Sequence, residues 1–487
     1  MRACFPALKV RPLVAGLVAI QLAGCASFSP DGGMSVVTEA ARADLRLDAG
    51  KISDERQASS ADDRVGELLK KGLTADRAVQ VALLSNKGLQ ADYNSLGISE
   101  ADYVAASLPR NPKLTLLDLR SGADFDIERR FVVDILSLLT LPARKDIAEA
   151  AYRSAELRAI AATLKLAADV RRQYWRVAAA TAQGKFLQES RAAAEATSDL
   201  AKRLGETGAT NKLDQSREHV FYAEVSAQLA KARTQLLVER EKLTRMMGHW
   251  GKNSAYNVPG TLPRLPGNPT PPARVESDAI KRNVDVRMAR ADLDRVAKEL
   301  GLTRATRYVN ALELSAAENS SRSSSEGIVT TTGAPVETTD RSKLRGVEIA
   351  IEIPLFDFGE ARARKSEETY MRAANLLAAK AIDVRSRARQ AYLAYRGAYD
   401  VARLYQSQVI PLRKAIQDES QLHYNGMLSD LFVLIQDARA RITSNIAAID
   451  AQRDFWIADA DLRSAILGGG MGGDANIQSA TSSSGAD

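Results

Sequence analysis

Residues 144–203 contain no proline and a single glycine, Gly184, and Leu157, Ile160, Leu164 and Ala167 recur at spacings of three and four. That pattern predicts one uninterrupted amphipathic helix. At 1.5 Å per residue it is a rod of ~90 Å, longer than the diameter of a compact globule made from a chain of this size. Residues 360–424 repeat the pattern with one internal proline, Pro411, which should kink or locally open the helix. Helices of this length need partners along their whole side. Aromatics make up only 5% of the 487 residues, which also favours long helices over an all-β core.

The two rods belong to one pattern written twice. The first copy (73–257) opens on "LTADRAVQVALLSNKGLQADYNSLGISEADYVAA", with Thr74 as N-cap and Val79, Leu83, Leu89, Leu96 and Val104 on one face. The second (274–469) opens on "VESDAIKRNVDVRMARADL", where Ala279, Asn283 and Leu293 match Ala82, Asn86 and Leu96 at one constant shift. In each copy the opening helix leads to strand-like sequence, then the long helix, a glycine-containing turn and a return helix. The turns are "RLGETGATNKLD" (203–214) and "LHYNGMLSDLF" (422–432). An opening helix stacked end to end on its return helix would make a second rod as long as the first. The Pro-rich stretch 258–273 joins the copies and can be neither helix nor central strand.

The sharpest strand signal is "GVEIAIEIPLFDFG" at 346–359. Val347, Ile349, Ile351 and Ile353 alternate with Glu348, Ala350 and Glu352, a period of two. Weaker alternation marks 308–316 and 131–138, and 113–119 is less regular; 319–343 reads as a long Ser/Thr/Gly loop. Strands with one hydrocarbon face and one carboxylate face fit a transmembrane barrel, with Val347, Ile349, Ile351 and Ile353 toward lipid and Glu348 and Glu352 toward a wet lumen. Four strands cannot close such a barrel alone, because the smallest bacterial examples have eight. A cyclic oligomer sharing one barrel resolves this and also gives the long helices neighbours. The alternatives are a small soluble sheet and an ordinary antiparallel coiled coil.

Residues 1–24 hold Arg2, Lys9 and Arg11 followed by a short apolar run, the layout of a secretory signal. The run ends Leu22-Ala23-Gly24-Cys25, which resembles a bacterial lipobox, with Cys25 as the lipidated first residue of the mature chain; an ordinary signal peptide with an incidental cysteine is the alternative. Three of the net seven positive charges leave with this leader, so the mature chain is near neutral and nothing in its charge calls for nucleic acid. Only Cys25 would remain of the two cysteines, which excludes an intrachain disulfide or a cysteine metal site. Residues 25–72 read as a polar lipidated tether, and 470–487 as a disordered tail.

Taken together, the chain resembles the TolC family of outer-membrane efflux and secretion channels over residues 73–469. The resemblance rests on the opening "LTADRAVQVALLSNKGLQA", on Leu108-Pro109-Arg110-Asn111-Pro112 at the helix-to-strand corner, on Ile353-Pro354-Leu355-Phe356 with Gly359 at the strand-to-helix corner, and on the two turns. It implies a mainly α fold with a small β part: a homotrimeric helical barrel of long antiparallel hairpins, continued by a twelve-stranded transmembrane barrel with four strands per chain. It also implies partners: outer-membrane lipid, a periplasmic adaptor and an inner-membrane pump. The turns would be the docking tips, carried here by Leu204, Gly208 and Leu213 in the first and by Tyr424, Gly426, Ser429 and Leu431 in the second. Arg203, Asp214, Asp430 and Asp437 become gate or lumen candidates. The chain departs from the family pattern where some members place acids after the second turn, since Phe432 and Ile435 stand at those places.

The function implied is an exit duct of a tripartite pump, coupled to a resistance–nodulation–division transporter as in the lipidated branch. A type I protein-secretion duct and a structural lipoprotein rod are the competing readings. An enzyme is not expected. His219, His249 and His423 do not pair at ligand spacing, and no phosphate-binding glycine motif follows a strand, so neither metal nor cofactor is anticipated.

Overall fold

A computed structural model describes residues 28–122, 124–208, 210–250, 256–271, 274–328, 335–426, 428–429 and 431–469. The signal segment, Cys25, Asp430 and the tail at 470–487 lie outside the described residues. Along the chain come α1 (Met34–Ala40, running into a π-helical turn, Ala41–Leu45), α2 (Glu55–Lys70), α3 (Ala75–Ser85), α4 (Lys87–Ala106), β1 (Lys113–Ser121), β2 (Asp124–Asp134), α5 (Ile135–Leu139) and α6 (Leu141–Glu206). Then follow α7 (Lys212–Met246), α8 (Val275–Arg282), α9 (Val284–Ala305), β3 (Ala311–Ile328), β4 (Pro335–Glu352), α10 (Glu360–Leu404), a second π turn (Tyr405–Val409), α11 (Ile410–Asn425) and α12 (Leu431–Leu467). Residues 97–155 and 289–377 form the body of one compact unit, and 33–96, 156–288 and 378 onward form the other.

The helical unit follows the sequence pattern closely. Thr74 caps α3 by accepting from the Arg77 N–H at 3.3 Å, and Val79, Leu83, Leu89 and Leu96 are buried. Pro411 acts as expected. It has no N–H and its ring crowds the carbonyl of Ser407, and the backbone absorbs this in the π turn Tyr405–Val409 just before it. The opening helix is broken once, at Asn86, which the apolar spacing did not reveal. The Asn86 amide donates to the Met246 carbonyl at the end of α7 (2.8 Å), while its oxygen caps Leu89. Asn283 does the same for Ala465 (3.1 Å) and Asp285.

The core of this unit is aromatic. Tyr395 and Tyr399 pack on Phe455, and Trp175 stacks on Trp456 at 5.0 Å. The Pro-rich connector is irregular, as its prolines dictate, but it is tied down: the Tyr399 hydroxyl donates to Pro266 and Gly267 carbonyls, and Tyr395 accepts from Thr270. The segment 28–70 is more ordered than its polar composition suggested. It contains α1 and α2, and buried Gln80 and Gln90 each read one stretch of its backbone in both directions, Gln80 at Asp48 and Gln90 at Ile52 and Gly50.

The other unit is built on one antiparallel sheet in the order β1-β2-β3-β4. Its strands are longer than their alternation. β3 and β4 are 18 residues each and occupy most of the stretch expected to be a loop. β2 begins at Asp124, ahead of the expected 131–138, and 135–139 is helix because the Asp134 side chain caps it by accepting from Ser137 (2.8 Å). The strand-to-helix corner after β4 is a strained turn. Phe358 has φ 48 and Gly359 φ 70, and a Cβ on Gly359 would stand 2.2 Å from the Arg307 carbonyl oxygen.

Candidate functional site

Two regions of the chain carry surface that its own fold leaves unpartnered, the sheet and the two helical turns. In the sheet, register decides which side chains share a face. Ile351 pairs with Leu312, Ile349 with Leu314, and Leu314 in turn with Val133. Val347 pairs with Ala316, Ala316 with Phe131, and Phe131 with Leu114. These rows build one apolar face, and it is exposed: Val347 by 74%, Ile349 by 66% and Leu114 by 65%. The irregular pattern of β1 resolves in register, with Leu114 and Leu116 on this face and Leu117 and Leu119 on the other.

The opposite face is mostly polar and acidic, with Leu117, Leu119, Val132 and Leu344 as large apolar members. Glu348 stands across from Ser315, whose hydroxyl donates to it at 3.4 Å, and lies 4.0 Å from Arg130. Glu352 accepts from Asn310 at 3.3 Å. Asp126, Glu128, Asp134 and Glu313 share this face, against Lys113 and Arg130. β1 and β4 are sheet edges, each with one side unpaired among the described residues.

The first turn joins α6 to α7. Gly208 sits there with φ 73, and nothing lies within 4 Å of the space a Cβ would fill. Its conformation, rather than crowding, calls for glycine. Leu213 is 59% exposed, Leu204 is half-buried, and Arg203 is exposed on the last turn of α6. Asp214 is bound locally. It accepts from Asn211 (2.8 Å) and Arg217 (3.2 Å), while Asn211 caps α7 through the Asp214 N–H.

The second turn joins α11 to α12. Gly426, unlike Gly208, is not left-handed: its φ is −81, a value any residue adopts. Tyr424 and Ser429 are half-buried, and the Ser429 hydroxyl is buried without a hydrogen bond among the described residues. Leu431 packs with Ile435 and Ile442 against Phe221 and Val225 of α7. Asp437 accepts from the Ser420 hydroxyl and so ties α12 to α11.

Between α7 and α12, just behind the turns, lies a groove of about 190 Å³ lined by Leu213, Arg217, Val220, Phe432, Ile435 and Arg439. Arg217 lies over the Phe432 ring at 5.1 Å, and Arg439 lies over Phe221 at 5.7 Å while pairing with Glu224 at 2.9 Å. Arg217, Arg439 and Phe221 were not candidates from sequence. They look like ordinary solvated helix residues until the two return helices are placed side by side. Phe432, noted only as a departure from acidic residues, proves to be a ring stacked under an arginine.

A profile of the outer membrane efflux protein family matches residues 131–249 and 275–469. The chain belongs to that family. It is an outer-membrane efflux duct, and the family is one of channels rather than enzymes. The cobalt-zinc-cadmium resistance protein CzcC of Cupriavidus metallidurans is 23% identical over 318 residues, 61% of this chain and 69% of CzcC. The open state of the Neisseria gonorrhoeae MtrE outer membrane channel superposes with a TM-score of 0.64 at 17% identity, covering 83% of this chain and 89% of that one. The outer membrane protein VceC of Vibrio cholerae gives 0.64 at 14% identity, over 81% and 96%. The mainly helical chain with its small four-stranded antiparallel sheet therefore has the fold of these channels.

Proposed function

We propose that three copies of the chain share one twelve-stranded barrel and one helical tunnel, and that the assembly is the passive exit of a tripartite pump. The observation that carries this is the sheet. It has two open edges and one exposed apolar face, and a lone chain would leave both in lipid, where unpaired backbone groups cost several kcal/mol each (roughly). Closing β1 of one copy onto β4 of the next removes every edge at once. The matched behaviour of Asn86 and Asn283, each joining a helix break to the end of a return helix, supports an internal repeat that lets three chains imitate six similar hairpin pairs.

The turns, with Leu204, Gly208, Leu213, Tyr424, Gly426, Ser429 and Leu431, are the docking tips for a periplasmic adaptor, and the groove behind them is the adaptor's side-chain pocket. Arg203, Asp214 and Asp437 stand close enough to the tips to shape the entrance, with Asp430 assigned there from sequence. The leader ends at Cys25, whose lipidation would hold the chain in the outer membrane of a Gram-negative cell. A proton-driven inner-membrane transporter supplies the energy.

The acidic sheet face, with Glu348 and Glu352, lines the lumen and favours cations. In planar bilayers under a salt gradient, the purified full chain should give discrete steps with a reversal potential on the cation side. Glu348→Lys should move that potential toward the anion side. Anion preference in the wild type would remove the assignment of the lumen face.

A further inference from the structure

Above the apolar rows, the same face of the sheet changes character abruptly. The next row is Leu116, Arg129, Glu318 and Arg345, then Asp118, Ile127, Ser320 and Lys343, then Arg120, Phe125, Arg322 and Arg341. Six cations meet two carboxylates. Asp118 is already held by both arms of Arg120 at 2.9 Å. Glu318 is shared by three cations: Arg345 at 2.9 Å, Lys343 at 3.0 Å and Arg129 at 3.4 Å. One carboxylate neutralises one of the three.

Arg322 and Arg341 are left over from these pairs; the Asp124 carboxylate lies within the electrostatic reach of Arg322, but its hydrogen bonds are to Ser324. The two arginines stand directly opposite each other across β3 and β4, and neither forms a salt bridge among the described residues. Like charges placed in direct cross-strand register destabilise a sheet unless something bridges them. The Arg322 Nε is buried and has no hydrogen-bond partner among the described residues. Closing the barrel would bring β1 of a second copy beside β4, but the carboxylate on the outward face of that strand, Asp118, is already taken.

The height of this cluster matters. From Glu352, the end of β4, to Arg345 the strand rises ~23 Å, or ~18 Å along the membrane normal at the tilt usual for such barrels. Exposed Leu355 and Phe356 extend the apolar band at its other end. The cations therefore begin where a ~25 Å hydrocarbon band ends. They lie on the side of the long β3–β4 hairpin, away from the helices. Directly beneath them is a shallow depression of about 460 Å³, floored by small Ala316 and walled by Leu114, Phe131 and Val347, with Arg129 and Arg345 at its rim.

We infer that this cluster is a seat for the phosphate groups of the outer leaflet's glycolipid, with an acyl chain in the depression and Arg322, Arg341, Lys343 and Arg345 on the phosphate. The inference rests on the shared-barrel reading for the outward direction of this face. An anion there bridges the opposed arginines and fills the charge deficit around Glu318. A zwitterionic phospholipid headgroup neutralises none of the excess charge.

The test is native mass spectrometry of the purified full-length assembly. It would be released from nanodiscs containing bisphosphorylated lipid A, or monophosphorylated lipid A with the same acyl chains, in phosphatidylethanolamine. The wild type should retain the bisphosphorylated form preferentially, and Arg322→Gln with Arg341→Gln should retain it about thirtyfold less. Arg322→Lys with Arg341→Lys should retain it almost fully. Lys113→Gln, which removes a cation from the opposite face and away from the depression, should change nothing. Equal retention of the two lipids, or unchanged retention by the double glutamine variant, would overturn the seat. So would displacement of the lipid by inorganic phosphate alone, since that would mark a free-anion site. The oligomer mass read in the same spectrum separates loss of the seat from failure of the shared barrel.

Discussion

Replacing Ile349 with lysine puts one charge in the middle of the apolar face, in a row with Leu314 and Val133. If that face meets lipid, the cost is ~2–4 kcal/mol per chain near the bilayer midplane, roughly thirty- to a thousand-fold in each chain's folded-to-unfolded ratio. Three copies in one barrel multiply the penalty. Glu348→Lys, one residue away, is the matched control. It sits on the other face, where the exposed Glu348 accepts from Ser315 and lies 4.0 Å from Arg130. Reversing that charge should cost only ~0.2–1 kcal/mol. Refolding into lipid vesicles across a urea series, read by heat-modifiable migration on gels, gives both costs. Ile349→Lys should shift the midpoint strongly and Glu348→Lys barely. Equal shifts, or a larger shift for Glu348→Lys, would refute the assignment of the two faces.

Gly208→Ala should cost ~1–2 kcal/mol in the thermal unfolding of the helical hairpin, because Gly208 holds a positive φ. Gly426→Ala should stay within ~0.5 kcal/mol, because φ −81 suits alanine and its Cβ would meet only ordinary contacts. If both glycines mark docking shape instead, adaptor capture would fall equally for the two. Burial raises the carboxyl of Glu218 on α7 above its usual value of 4.5, with a hydrogen bond from Thr197 opposing the shift. A carboxyl whose folded value is raised stabilises the fold while protonated and loses that contribution as pH rises through the raised value. Glu218→Gln should therefore match the wild type near pH 4 and melt higher than it at pH 8. A difference that narrows with rising pH would contradict the burial argument.

Where the pattern could be read, one face of the element was dry. The rods and the apolar half of β4 announced themselves because each sets hydrocarbon against water at a fixed period, and the turns and the Pro411 distortion because glycine and proline change what the backbone can do. The upper halves of β3 and β4, around Ser320–Ser325 and Thr338–Ser342, carry polar residues on both faces. They gave no period of two, so they read as a loop. "DFDIERR" at 124–130 does alternate, Phe125 and Ile127 against Asp124, Asp126 and Glu128, but with only two apolar residues before Arg129 the start of β2 stayed hidden. Pairing, rather than pattern, reveals these stretches. The break at Asn86 escaped because its cause lies far along the chain, at the Met246 carbonyl. Likewise the opposition of Arg322 to Arg341 exists only once register is fixed.

The lumen, the lipid face and the glycolipid seat all depend on β1 of one copy closing onto β4 of another. Thr115 and the even-numbered residues from Ser342 to Ala350 lie on the same face of these two edge strands. Thr115→Cys, combined in one chain with a cysteine scanned through those β4 positions, should on mild oxidation give a covalently closed trimer at one or two neighbouring positions. Bonds that stop at a dimer, or no intermolecular bond at any position in membranes that hold the protein, would contradict the shared barrel.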